Sequence, residues 1–283
     1  NFSKALSSVR LNLAQAIING NHYKISIADI NLWTQIILNR ILFIRVCEAR
    51  GLERDGLLKD FAATDFWTEF KRSSYIDFYE HYDGPMFARI RHIQDLIIDN
   101  AVFDDLLSYL YYPSPYCFDV IPLKSISDIY DLFLGYHLEY DDSGILENVL
   151  KSEFRKSNGA VTTPEHIVHN TIDSTVPSEY LQSLTNQQIL DLKFLDPACG
   201  SGVFLVSIYD HLATQIESNI EERKDVLPHR YLYEKDGKKY LNLEGRKLIV
   251  NQCLHGVDIN QECVEVAKLS LSLKIIDGFE PID

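Results

Sequence analysis

The chain has 283 residues, 46 % of them hydrophobic, and a formal net charge of −14; it is long enough for a sizeable core and about two domains. No apolar run reads as long enough to span a membrane and no signal peptide opens the chain. Five cysteines without a Cys-x-x-Cys spacing argue against a zinc site and fit a reducing cytoplasm, and so acidic a balance gives little general attraction to phosphates.

Residues 1 to about 150 read as almost wholly helical. Ile30, Trp33, Ile37, Ile41 and Ile44 recur at three- and four-residue steps and close at Gly51. This predicts an amphipathic bundle helix on which Arg40, Arg45, Glu48 and Arg50 are solvated or paired. Glu69-Phe70-Lys71, with Asp60 or Asp55 upstream, matches the letters of a magnesium-dependent Asp…Glu-x-Lys nuclease. Phe61, Phe66, Trp67 and Phe70 are spaced as on helices, however, which makes the match one of letters alone. Further helices are predicted over 87–100 and 101–110, before Tyr111-Tyr112-Pro113-Ser114-Pro115 breaks the pattern.

Thr162-Thr163-Pro164-Glu165 reads as a helix entry, with Thr163 as N-cap, Pro164 in the first turn and Glu165 complementing the dipole. His166 and His169 then lie three residues apart, a common spacing, and are taken as surface or rim residues. Next comes Phe194-Leu195 followed by Asp196-Pro197-Ala198-Cys199-Gly200-Ser201-Gly202 and Val203-Phe204-Leu205. A short apolar strand, an acid, a glycine turn and a helix form the opening unit of a nucleotide-binding α/β fold. Pro197 ends the strand, Gly200 and Gly202 allow positive φ, and the helix N-terminus supplies free N–H groups. Cys199 has no base near it in sequence and is read as a packed turn residue.

A helix is predicted from Val203 toward Glu222. Tyr231-Leu232-Tyr233 and Tyr240-Leu241-Asn242-Leu243 flank Asp236-Gly237 as a hairpin. A short helix through Arg246, Ile249 and Cys253 leads into Leu254-His255-Gly256-Val257-Asp258-Ile259-Asn260, a second apolar strand ending in an acid. In dinucleotide folds that acid accepts from ribose hydroxyls, about twenty residues after the glycine loop; here an insertion lengthens the interval. Asp258 fits the role, Ile259 can pack on an adenine face, His255 flanks the strand, and Asn260 caps a helix carrying Val264, Ala267, Leu271 and Ile275.

Taken together, Asp-Pro-Ala-Cys-Gly-Ser-Gly at 196–202, the stretch from Gly256 to Leu273 and the Thr163-Pro164 element resemble the adenine-N6 DNA methyltransferases of type IIG and type I restriction–modification systems. Leu38 to Leu52 and Ser127 to Tyr140 resemble two helices of the same enzymes. The resemblance implies an α/β architecture: an N-terminal helical domain over 1–150, then, over 151–283, the first part of a Rossmann-like methyltransferase sheet, parallel at about 193–196 and 254–258. It implies S-adenosyl-L-methionine as cofactor, held by Thr163, Pro164, Asp196, Ala198, Gly200, Gly202, Asp258 and Ile259. It implies double-stranded DNA as partner, a cytoplasmic setting without membrane attachment, and an accompanying restriction or specificity subunit or fused nuclease.

Those enzymes hold the flipped adenine with an Asn/Asp-Pro-Pro-aromatic tetrapeptide. This sequence contains no Pro-Pro pair, so no catalytic residue is assigned. The chain is expected to be the cofactor-binding part of a longer enzyme, inactive alone, with its DNA surface elsewhere. The alternative expectation is a non-catalytic binding or scaffold module of a phage-defence complex that keeps the fold.

Overall fold

The computed structural model describes residues 2–82, 85–116, 118, 135–150, 163–222 and 225–277. These residues fall into two compact units, divided between 161 and 162.

In the first unit, α1 (Phe2–Gly20) and α2 (Ile27–Ala49) are followed by α3 (Leu57–Thr64), α4 (Phe66–Ser73), a π-helical turn (Ser74–Phe78), α5 (Tyr79–Tyr82), α6 (Arg91–Asp95) and α7 (Ala101–Leu110). Ser26 starts α2 by accepting the Asp29 amide, and Asp65 starts α4 by accepting the Thr68 amide. Gly51, at φ 71°, turns the chain after α2.

The expectation of an amphipathic α2 is corrected, since this helix is buried on every side. By length and composition it is apolar enough to cross a membrane, which also corrects the reading that no such run exists. Its polar side chains show what it packs in instead. Asn31, Thr34, Gln35, Asn39, Arg40 and Glu48 are all buried. Arg40 donates to the carbonyls of Met86 and Ala88 at 2.8 Å each, and Glu48 accepts from the Leu58 amide and the Tyr111 hydroxyl. These charges are therefore core groups satisfied by neighbouring elements rather than solvated ones.

Two further expectations change. The helix predicted over 87–100 shrinks to α6, because side chains from elsewhere take its backbone groups. Trp67 Nε1 donates to Leu96 O, Lys71 Nζ donates to Gln94 O, and Asn21 both donates to Ile97 O and accepts its amide. The second concerns Tyr136–Tyr140, read as the end of a helix. It is β1, antiparallel to β2 (Leu146–Leu150); residues 127–134 of that expected helix lie outside the described residues. Asn31 docks this hairpin by donating to Leu138 O and accepting the Leu138 amide, as a strand neighbour would. Arg10 adds a bond to Tyr136 O. The 101–110 helix is found as predicted.

In the second unit come α8 (Glu165–Thr175), α9 (Ser178–Gln182), α10 (Asn186–Asp191), β3 (Phe194–Asp196), α11 (Val203–Glu221), β4 (Leu232–Lys235), β5 (Lys238–Leu241), α12 (Leu243–Cys253), β6 (Leu254–Gly256) and α13 (Gln261–Ile276). A Thr185–Gln188 capping box opens α10, while Asn242 and Asn260 cap α12 and α13. Leu205, Tyr209, Leu212, Ile216 and Ile220 form one stripe of α11. They bury against Ile189, Leu241, Ile249, Cys253, Leu254 and Ala267. The sheets are small, three pairs of two strands among the described residues, and only β3–β6 is parallel.

Candidate functional site: a glycine turn between two strand-end acids

Phe194, Leu195 and Asp196 lie opposite Leu254, His255 and Gly256. The ladder continues beyond the strands, with Val257 N–H donating to Asp196 O and Cys199 N–H to Val257 O, each at 2.9 Å. Asp196 and Asp258 therefore leave the same carboxyl edge on adjacent strands. This is where ligands meet parallel α/β sheets. One face of the pair is packed: a Cβ on Gly256 would lie 2.8 Å from Leu205 and 3.1 Å from Cys199 Sγ. The other face leaves Leu195 and Val257 exposed, and Ile259 projects fully into solvent at the mouth of the turn.

The turn itself is fixed by the acids. Asp196 Oδ1 accepts the Ala198 amide at 3.1 Å. Asp258 Oδ2 accepts the Gly200 amide at 2.9 Å, and its Oδ1 accepts the Asn260 amide at 2.8 Å. Both Asp258 oxygens are thus engaged, each with a lone pair to spare. Asp196 Oδ2 is shielded from solvent yet has no hydrogen-bond partner. A shielded carboxylate oxygen is costly to leave unpaired.

The two glycines differ in use. Gly200 has φ 52° and open space where a Cβ would stand, whereas Gly202 has φ 90° and a Cβ there would sit 3.0 Å from that of Ala267. Gly200 leaves open space beside the turn. Gly202 lets the start of α11 approach Ala267 of α13. The Cys199 thiol is pushed above its ordinary pKa by burial, then by Asp258 and Asp196, so it is no activated nucleophile.

Pro164, rather than Thr163, is the N-cap of α8, which starts at Glu165; no side-chain cap bond forms there. This corrects the expected cap by one residue. The N-cap conformation (φ −57°, ψ 139°) suits proline's fixed φ, and the extended chain leaves Thr163 outside the helix. Glu165 and His169 form an exposed pair at 3.6 Å. Residues 151–162 lie outside the described ones. The Asp258–Gly200 bond has no signal in the sequence, because it joins residues 58 apart.

Elsewhere in the unit, a cavity of about 140 Å³ is lined by Tyr209, Asp210, Glu217, Arg246, Lys274 and Asp277, among others. Lys274 bridges Asp210 at 3.0 Å, and Arg246 donates to the carbonyls of Ile275 and Asp277 at the end of α13. Lys274 is thus paired with carboxylates and Arg246 with backbone carbonyls, and the glycine turn with its unpartnered Asp196 oxygen is taken as the candidate site. In the first unit, Glu69 pairs with Arg72 and Lys71 lies over Trp67, all on α4, which removes the two-strand geometry that the nuclease reading requires.

Residues 170–277 match the family model described as "MmeI, DNA-methyltransferase domain". The type II restriction enzyme and methyltransferase RM.Eco57I of Escherichia coli is 28 % identical over 98 % of this chain and 27 % of its own length. A putative type II restriction enzyme and methyltransferase of Methanocaldococcus jannaschii is 24 % identical over 87 % of this chain and 25 % of its own length. The chain thus spans about a quarter of the length of these curated relatives. Among solved structures, the type IIL restriction-modification enzyme MmeI in complex with DNA matches in fold. The TM-score is 0.52 at 17 % identity, over 98 % of this chain and 37 % of that one. The sequence matches are thus to proteins described as restriction enzymes and methyltransferases, and the structural match shows a likeness of fold.

Proposed function

We propose that this chain carries the cofactor-binding part of a site-specific adenine-N6 DNA methyltransferase of a restriction–modification system, and that the residues up to about 150, which among those described are mostly helical and end in the β1–β2 hairpin, form a separate domain. The observation that carries the reading is the pair of strand-end acids on adjacent parallel strands around a glycine turn, with one shielded oxygen of Asp196 left unpartnered. The residues fit S-adenosyl-L-methionine. Asp196 and Asp258 accept from its hydrogen-bond donors, and Asp258 takes the ribose. Ile259 offers an apolar face to the adenine ring, and Ala198, Gly200 and Gly202 keep the turn clear and correctly bent. Thr163 and Pro164 belong at the methionine end.

When bound, that cofactor supplies an electrophilic methyl group. The chain's own part is to bind and orient it, and such positioning accounts for much of the barrier lowering in transfer between two held reactants. Duplex DNA is the proposed substrate, with the target adenine extruded from the stack. The 283 residues hold no Pro-Pro tetrapeptide, so the base pocket is assigned to other parts of the enzyme.

The test is incubation of the full-length protein with tritiated S-adenosylmethionine and duplex DNA of mixed sequence, followed by digestion to nucleosides. Label in N6-methyl-2′-deoxyadenosine supports the reading. Label in cytosine contradicts the adenine assignment, and cofactor binding without any labelling supports a non-catalytic module.

A further inference from the structure

We propose that the β4–β5 hairpin is a contact for the phosphate backbone of duplex DNA, an inference that rests on the DNA-methyltransferase reading above. Residues 229–241 carry Arg230, Lys235, Lys238 and Lys239 against Glu234 and Asp236. This is a local reversal in a chain with 27 basic and 41 acidic residues.

The register sorts these side chains. Leu232 and Leu241 face each other and are buried in the core of the second unit. Side chains alternate along strands, so the next pair, Tyr233 and Tyr240, lies on the opposite face, and Lys235 opposite Lys238 shares it. The two tyrosine rings are stacked, centroids 5.5 Å apart. At the base of the hairpin the Arg230 guanidinium lies 4.6 Å over the Tyr231 ring.

Two lysines directly opposite each other destabilise a ribbon. Hairpin stability therefore does not favour this pairing, whereas a polyanion laid along the face does. Lys238 meets Glu221 at 2.5 Å, but both side chains are more than half exposed. Such a pair is weak in water, and a phosphate can replace its carboxylate. The stacked tyrosines beside the lysines carry hydroxyls of the kind that donate to phosphate oxygens. The acidic Asp236 at the turn keeps the tip itself away, so the contact runs along the face and reads no base edges.

The experiment measures duplex binding by fluorescence anisotropy from 50 to 200 mM salt, with the full-length protein and its Lys235→Gln/Lys238→Gln variant. Each lost phosphate contact lowers the slope of log affinity against log salt by about 0.9. The variant should lose about 1.8 of slope, with an unchanged affinity for S-adenosylmethionine. Its Tm should change little, because loss of the like-charge pair and loss of the exposed Lys238–Glu221 pair oppose each other. An unaltered slope overturns the proposal, and so does weaker binding at unaltered slope, which assigns the lysines a structural part. A wild-type protein that labels DNA while the variant keeps its slope sinks this inference alone; a wild-type protein that binds neither cofactor nor DNA sinks the methyltransferase reading with it.

Discussion

Gly200 and Gly202 both have positive φ, and a periodic reading of the turn gives them the same part. The structure separates them, since only at Gly202 does a neighbouring helix occupy the space of a side chain. Gly202→Ala should therefore cost about 1–2 kcal/mol for the left-handed backbone and a further ~1–3 kcal/mol for crowding Ala267. Gly200→Ala should carry only the backbone cost. Its larger effect should be on cofactor affinity, through the space beside the turn. Urea unfolding and calorimetric titration of the two variants check this, and equal destabilisation would remove the packing role from Gly202. The strand-end acids divide in a similar way. Asp258 holds the turn through two amides, while Asp196 keeps one oxygen without a partner.

At the scale of elements, the helix most easily seen in sequence is also the one whose surroundings were least legible. Ile30 to Ile44 announce α2 by spacing, yet spacing cannot show that Arg40 and Glu48 find partners 46–48 and 10–63 residues away. Burial holds the Glu48 carboxyl above the usual carboxylate range, against the opposing bonds from Tyr111 and Leu58. Folding then takes up a proton between the ordinary value and the raised one. That contribution to stability is full below the window and is lost as pH rises through it. Glu48→Gln should flatten this part of the stability–pH profile, measured by urea unfolding at several pH values, and an unchanged slope would contradict the assignment. The same limit explains the misread segments. The chain over 87–100 looks helical by apolar spacing, but Trp67, Lys71 and Asn21 satisfy its carbonyls from outside. By contrast, β3, α11, the Asp236-Gly237 hairpin, α12, β6 and α13 were legible. All but β6 are bounded by local chemistry, a proline, a glycine at positive φ or an asparagine cap, that acts within a few residues, and β6 is read from its apolar run before an acid.

For the whole molecule, a net charge of −14 and the lack of a Pro-Pro pair point the same way. The 283 residues alone should leave mixed-sequence duplex DNA unlabelled by tritiated cofactor, since loss of base positioning can raise the barrier by about 7–11 kcal/mol. Transfer of label by these residues alone would show that the base pocket lies within them. The central claim is narrower: the edge shared by β3 and β6 is an S-adenosylmethionine site. Calorimetric titration of the full-length protein with that cofactor, beside Asp258→Ala, tests it most directly. The loss of a hydrogen bond to a charged group should weaken binding by about 1.5–3 kcal/mol, roughly ten- to more than a hundredfold. Wild-type affinity in a folded Asp258→Ala protein would contradict the assignment.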